Sequence, residues 1–289
     1  MPSRFFAGMA FFYHLSVIAN QLASWCGDLP EITEIFGDCH VGLWPPRNDR
    51  IIGGTYCMKI PLSDRLLACC NFVKQGDRVA DVGCDHGYLG IYLLTNGIAR
   101  SVIESDVAEG PLQSAMRNAV KFGTKNKMSF HLSDGVQDIP RDFDCMVCAG
   151  MGADTIMSII HHAYDWLADP KYRLILQCQS KRPELRQWLY DKGFRINRET
   201  LAKDGKFVYS IMEVVFDPGH PLSHAESYIS PALLEDNHPL LPEYYERVKH
   251  GVELTVMGMK RSGDDQLHVY EVLLSALTEM DESIYGNRT

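Results

Sequence analysis

Asp81-Val-Gly-Cys-Asp-His-Gly-Tyr-Leu-Gly90 joins a short apolar run to a segment with helical character. An acidic residue and a glycine at a strand end, opening into a helix, suit a nucleotide-like ligand. The glycine lets the backbone approach the ligand, and the first amides of the helix face its carboxylate or phosphate. A dinucleotide-binding turn would carry G-x-G-x-x-G. Here the glycines fall at 83, 87 and 90, and Asp85 takes the place of the second. A carboxylate there repels a pyrophosphate and suits the cationic sulfonium and ammonium of S-adenosylmethionine. Taken alone, so loose a pattern fits a plain strand–helix turn equally well.

Outward from this stretch, strands and helices alternate. RVADVG (78–83), SVIES (101–105), KMSFHL (127–132), DCMVCAG (144–150) and RLILQ (173–177) read as strands. Helices are predicted over 87–97, 110–123, 154–167 and 183–192, and FRINRETL and FVYSIMEVVF, split by the KDGK turn at 203–206, read as a closing antiparallel hairpin. Upstream, KIPLSDRLLACCNFV sets Leu62, Leu66, Leu67, Cys70 and Val73 on one helical face with Ser63 as its N-cap. This alternation implies an α/β fold with a sheet covered on both faces, whose ligands bind beyond the C-terminal ends of the first strands.

Those ends carry acids. Asp106 follows the second strand where an acidic residue grips ribose hydroxyls; Glu104 competes for the role but is expected to be paired inside the strand. After the third strand comes Ser133-Asp134-Gly135, where a carboxylate can accept an adenine amino group. A single acid at a strand end is ordinarily a helix cap or a solvated loop residue; three at successive ends favour a cofactor site. The fourth strand ends in Ala149-Gly150-Met151-Gly152, whose glycines leave room for a flat base. The Asn-Pro-Pro-Tyr loop of exocyclic-amine methylases is absent there, which favours a ring nitrogen as acceptor.

The series DVGCDHGYLGIYLL, SDVAEGPLQSAMRNA, SDG, AGMGADTI, LILQ, LRQWLYDKGFRI and KDGKF resembles the bacterial TrmK family, whose members methylate N1 of adenine 22 in tRNA with S-adenosylmethionine. The resemblance covers about residues 60–216, and the helical tail is similar too. It implies a Rossmann-like class I methyltransferase sheet with a C-terminal helical appendage, S-adenosylmethionine as cofactor and tRNA as partner. It makes Asp81, Gly83, Asp106, Asp134 and Gly135 cofactor contacts, and Asp85, His86 and Tyr88 the catalytic edge. Gly150, Met151, Gly152 and Gln177 would border the base pocket. Two departures fall on that border: Cys178 stands where the family usually has Pro, and Ala153 where it usually has Gly.

The charge distribution bears on the partner. The net charge is −9, but residues 1–57 hold 3 basic and 5 acidic side chains, 58–216 hold 20 and 19, and 217–289 hold 5 and 13. The acidity sits in the tail, and phosphate contact needs only a local basic patch. Lys171, Arg173, Lys181, Arg182 and Arg186 form such a flank on paper, with Lys181, Arg182 and Arg186 as the RNA-contact candidates; each alone is more often a solvated charge.

Three domains are expected: an extension over 1–57, dispensable and non-native or poorly ordered, with Met58 as the functional start; a methyltransferase domain over 58–216; and a connector with two helices over 217–289. In the second helix Val269, Val272, Leu273, Ala276, Leu277 and Met280 form one stripe. The segment 5–25 imitates a signal peptide but is broken by His14, Asn20 and Gln21. Nine scattered cysteines do not make a secreted disulfide framework, so a cytoplasmic protein without membrane span is expected. Cys145-x-x-Cys148 lies inside a strand and reads as core thiols, and His161-His162 as a surface pair, so no metal is expected. Two competing functions remain: a methyltransferase for another RNA or a small molecule, and a non-catalytic nucleotide-binding module.

Overall fold

A computed structural model describes residues 50–52, 55–57 and 59–286. Most of the expected extension, and the signal-like segment, lie outside the described residues. Within it, strands β1 (Arg50–Ile52) and β2 (Thr55–Cys57) pair antiparallel. Residues from Ile60 onward group into one unit.

That unit opens with helix α1 (Asp64–Cys70), and seven strands follow: β3 (Arg78–Val82), β4 (Ser101–Asp106), β5 (Met128–Leu132), β6 (Cys145–Met151), β7 (Arg173–Cys178), β8 (Phe194–Asp204) and β9 (Phe207–Phe216). They form one sheet in the order β5-β4-β3-β6-β7-β9-β8. The first five are parallel, and the hairpin β8–β9 adds itself antiparallel through β9. Val79, Ala80, Val82 and Cys145 to Cys148 are buried, as both-face burial demands of central parallel strands. Helices α2 (Tyr88–Thr95) and α3 (Glu109–Lys121) lie between the first strands, and α4 (Ala153–His162), α5 (Tyr164–Leu167) and α6 (Arg182–Asp191) around β7. The single helix predicted over 154–167 divides at Ala163. Chain order reverses between β3 and its neighbours β4 and β6, so a crevice opens at the C-terminal ends of these strands.

The tail is more structured than its prolines suggest. Within the expected connector, α7 (His224–Tyr228) starts on a capping box of Ser223 and Glu226, and α8 (Pro231–Asp236) is capped by Ser230. Then come α9 (Leu241–Ser262), α10 (Leu267–Glu279) and α11 (Asp281–Tyr285). Leu241, Tyr244 and Tyr245 pack with Leu201 and Val208 of the hairpin in one cluster. The predicted stripe is split: Leu273 and Leu277 are buried, whereas Val269 and Val272 are 47% and 56% exposed. At α1, Ser63 occupies the cap position without a side-chain cap bond, and its hydroxyl is buried without a partner.

A buried ion pair ties the tail to the sheet. Arg186 of α6 and Glu199 of β8 are fully buried and meet at 2.5 Å. The guanidinium also donates to the Ser227 carbonyl (2.9 Å), the Tyr228 carbonyl (3.2 Å) and the Tyr244 hydroxyl (3.2 Å), and Ser230 Oγ donates to Glu199 (2.5 Å). Arg186 is therefore no RNA contact: its charge is spent inside the protein. Arg173 leaves the expected basic flank for the same reason, buried between Asp77 and Glu213.

Candidate functional site

The crevice at the ends of β3 and β6 is a cavity lined by Asp81, Gly83, Cys84, Asp85, His86 and Tyr88 on one side and Ala149, Gly150 and Met151 on another, with Arg65, Leu66 and Leu89 completing it. Backbone bonds set the turn after β3: the amides of Gly83 and Cys84 donate to the Ser105 carbonyl at 2.8 and 3.0 Å. The Asp85 amide donates to Asp106 Oδ2 at 3.4 Å, and Ala108 N donates to Asp106 Oδ1 at 3.0 Å. Asp106 thus steadies the turn from the end of β4 but is not among the residues lining the cavity.

Gly83 has φ +71°, and a Cβ there would come within 2.3 Å of the Met151 methyl. Glycine at this point takes the positive φ without strain and leaves room for the Met151 side chain on the cavity wall. Asp85 has φ +51°, a left-handed conformation that most side chains avoid. It does occupy a glycine's place in the turn while keeping a carboxylate. Its side chain and that of His86 are largely exposed at the mouth, with His86 Nε2 3.6 Å from Asp85 Oδ1. His86 also lies 5.8 Å from the Tyr88 ring, which meets Phe122 edge-on.

Deeper in, the carboxylates crowd. Asp81 and Glu104 sit opposite one another on β3 and β4, and both are buried. Burial, reinforced by the Asp106 charge, pushes the Asp81 carboxyl up to about 7. Burial and the Asp81 charge raise Glu104 well above the carboxylate range. Gly90 makes room for Glu104, since a Cβ on Gly90 would meet Glu104 Oε1 at 2.1 Å. A buried acid that ionises reluctantly is suited to a cationic ligand, which would restore the charge that burial suppresses. Carboxylates at depth and mouth, and a glycine turn that admits backbone contact, fit a nucleoside carrying sulfonium and ammonium groups.

Several expected residues lie elsewhere. Gln177 does not border the cavity: it is fully buried, and its Oε1 accepts from Arg65 Nη1 (3.0 Å) and from the Gly150 amide (2.9 Å). It is a brace behind the wall. Gly135 is also buried, with Ile159 filling the space of a side chain and its carbonyl taking bonds from Ser105 and Ser133. Asp134 is exposed beside it, and neither is among the cavity-lining residues. Gly152 caps α4 and faces Ser180 instead of the cavity. Lys181 is paired at the surface with Asp154 (2.7 Å), and the Arg182 guanidinium lies 5.4 Å from the Tyr244 ring. Cys145 and Cys148 are buried, and burial raises both thiols. Among the described residues no group of three or more His, Cys, Asp or Glu is placed to hold a metal ion.

Sequence reasoning passed over Arg65. Its guanidinium reaches from α1 to Gln177 and to Asp204 (3.5 Å), and a Cβ on Gly150 would come within 3.3 Å of it. No local signal marks it, because its partners lie far along the chain.

A Bacillus subtilis tRNA (adenine(22)-N(1))-methyltransferase is 34% identical over 150 residues, 51% of this chain and 63% of that protein, a little under two thirds of its length. The crystal structure of Streptococcus pneumoniae Sp1610, a candidate tRNA (m1A22) methyltransferase in complex with S-adenosyl-L-methionine, superposes with a TM-score of 0.66 at 29% identity, over 78% of this chain and 100% of that one. The Bacillus subtilis M1A22 tRNA methyltransferase TrmK gives 0.65 at 25% identity, over 79% and 99%. Residues 62–212 match the family model for a methyltransferase domain. The chain belongs to the TrmK family of methyltransferases. The family match begins within the residues that lead into α1, so Arg65 lies inside it, and it ends near the close of β9. The fold expected from the sequence, a Rossmann-like methyltransferase sheet with a helical appendage, is the one observed.

Proposed function

We propose that this TrmK-family protein transfers a methyl group from S-adenosylmethionine to N1 of an adenine in tRNA, at position 22, and does so in the cytoplasm. The observation that carries the reading is the juxtaposition of Asp85, His86 and Tyr88 with Gly150 and Met151 around one cavity at the ends of β3 and β6. The names of the B. subtilis and S. pneumoniae proteins support the substrate. Among the described residues no helix is long and apolar enough to cross a membrane.

S-adenosylmethionine, when bound, supplies a methyl group already activated on a sulfonium. The protein's task is then to hold two reactants in line, the gain that orientation confers. Asp81 and the Gly83 backbone would hold the cofactor, with Asp106 fixing the turn and reaching the ribose. Adenine N1 attacks with its own lone pair, so no base need act first, but the ring becomes cationic. Asp85 at the mouth would stabilise that charge and take a proton from the exocyclic amine, with His86 and Tyr88 flanking the base. Because N1 is hidden in a duplex, the target adenine must be unpaired or turned outward. The acceptor follows from incubating the protein with S-adenosylmethionine and unmodified tRNA and mapping N1-methyladenosine by mass spectrometry. Methyl incorporation confined to a small molecule, or none at all, would overturn the reading.

A further inference from the structure

A second groove lies beside the first, between the β8–β9 turn and α9. It is lined by Gln179, Arg182, Phe207, Tyr209, Tyr244 and Arg247 among others. Phe207 is 51% exposed at the hairpin tip. The Tyr209 ring stands 6.1 Å from it, and Lys206 Nζ lies 5.3 Å from the Phe207 centroid. Arg182 covers the buried Tyr244 ring, and Arg247 donates to the Lys206 carbonyl at 2.9 Å and to Glu243 at 2.7 Å. Glu243 also answers Lys203, and Asp204 answers Arg65. The cations Arg182, Lys203, Lys206 and Arg247 therefore outnumber the carboxylates at this rim.

Gln179 connects the two openings. It lines the groove, its amide donates to the Met151 carbonyl at 2.8 Å, and a Cβ on Gly150 would lie 3.7 Å from its Nε2. A chain passing out of the methyl-transfer cavity over the end of β6 thus reaches Gln179 and the groove next. An exposed ring flanked by arginines suits a single nucleic-acid strand, because every base has a face to stack and every phosphate a charge to meet.

We propose that this groove binds a nucleotide of the substrate RNA flanking the methylated adenine, its base stacked on Phe207 and its phosphate held by Arg182 and Arg247. The inference rests on the tRNA reading above. It keeps Arg182 of the expected basic flank, drops the buried Arg186, and adds an aromatic shelf that the sequence does not single out.

The test is a double perturbation: tRNA transcripts carrying one abasic nucleotide at successive positions around the target adenine, against wild type, Phe207→Ala, Phe207→Trp and Arg247→Ala. Phe207→Ala should weaken tRNA binding about tenfold, as expected for a lost stacking partner, with S-adenosylmethionine affinity unchanged; Phe207→Trp should restore it. One abasic position should cost the wild type a similar factor and cost Phe207→Ala nothing more. The groove is excluded if both alanine variants bind tRNA as wild type does, or if every lesion costs wild type and Phe207→Ala equally, as it would for a peptide-binding groove. A wild type that neither binds nor methylates tRNA removes the tRNA reading itself, which separates the two failures.

Discussion

Asp85 holds a backbone conformation that costs an ordinary L residue on the order of 1–2 kcal/mol, somewhat less for aspartate. A residue kept under strain at the mouth of a cavity points to a use for its side chain. Asp85→Gly should therefore leave stability unchanged or raise it by up to about 1 kcal/mol while methylation collapses. Asp85→Asn, which keeps size and removes charge, should lower turnover about a hundredfold, the scale of a lost electrostatic stabiliser, with cofactor affinity within about twofold. Thermal melts, calorimetry and single-turnover rates read these quantities; near-normal turnover in Asp85→Asn would leave the residue as a turn former. Asp81 yields a proton-linked prediction. Its carboxyl is raised to about 7 from an ordinary 3.8, so between those values the folded protein holds a proton that the unfolded chain releases. Stability from this group is therefore greatest at the acid end of that window and falls as pH rises towards 7. A cationic cofactor favours the ionised form, so below about pH 7 its binding should expel protons, and affinity should rise with pH up to that point. Calorimetry in buffers of different ionisation enthalpy measures the release, and Asp81→Asn should diminish it, leaving what the facing Glu104 contributes. At this scale the sequence discloses Asp81, Gly83 and Asp85, because a turn is local. It does not disclose Arg65, whose partner Gln177 is 112 residues away, nor that Gln177 faces inward.

The hairpin β8–β9 is the element on which the fold and the tail meet. Arg186 reaches it from α6, and removing one member of a fully buried ion pair strands the other charge in a low-dielectric interior. Arg186→Ala should destabilise the protein by roughly 3–5 kcal/mol, read as a shift in the urea midpoint, whereas Arg186→Met with Glu199→Leu should recover most of it. A loss below about 1 kcal/mol would mean that water reaches the site. The parallel strands were legible because buried strands are written as short apolar runs, unbroken in Cys145–Cys148 and interrupted only by Asp81 in Val79–Val82. The helices α7 and α8 were written too, in Ser223-x-x-Glu226 and Ser230-Pro231, but composition concealed them: prolines and histidines dominate the stretch. The charge on Arg186 misled for a related reason. A helical spacing of four from Arg182 states that two side chains share a face, and says nothing about whether that face meets water.

For the whole molecule, the unit beginning at Ile60 contains every residue of the cavity. A chain beginning at Met58 should accordingly keep a cooperative thermal transition, bind S-adenosylmethionine and retain turnover; aggregation of that shortened chain would assign residues 1–57 a share of the core. A boundary at the C-terminal side is another matter. The sequence changes composition after residue 216 as if a separate module began there, yet Arg186 and Glu199 spend their hydrogen bonds on Ser227, Tyr228, Ser230 and Tyr244 beyond that point. Both ions belong to the sheet side and these neutral partners to the tail, so parting the two strips a buried ion pair of the hydrogen bonds that complete its shell. The catalytic sheet and the helical tail should therefore melt as one thermodynamic body, with calorimetric and van't Hoff enthalpies in agreement, and protons of amides in α9 should exchange with solvent no faster than those in β8.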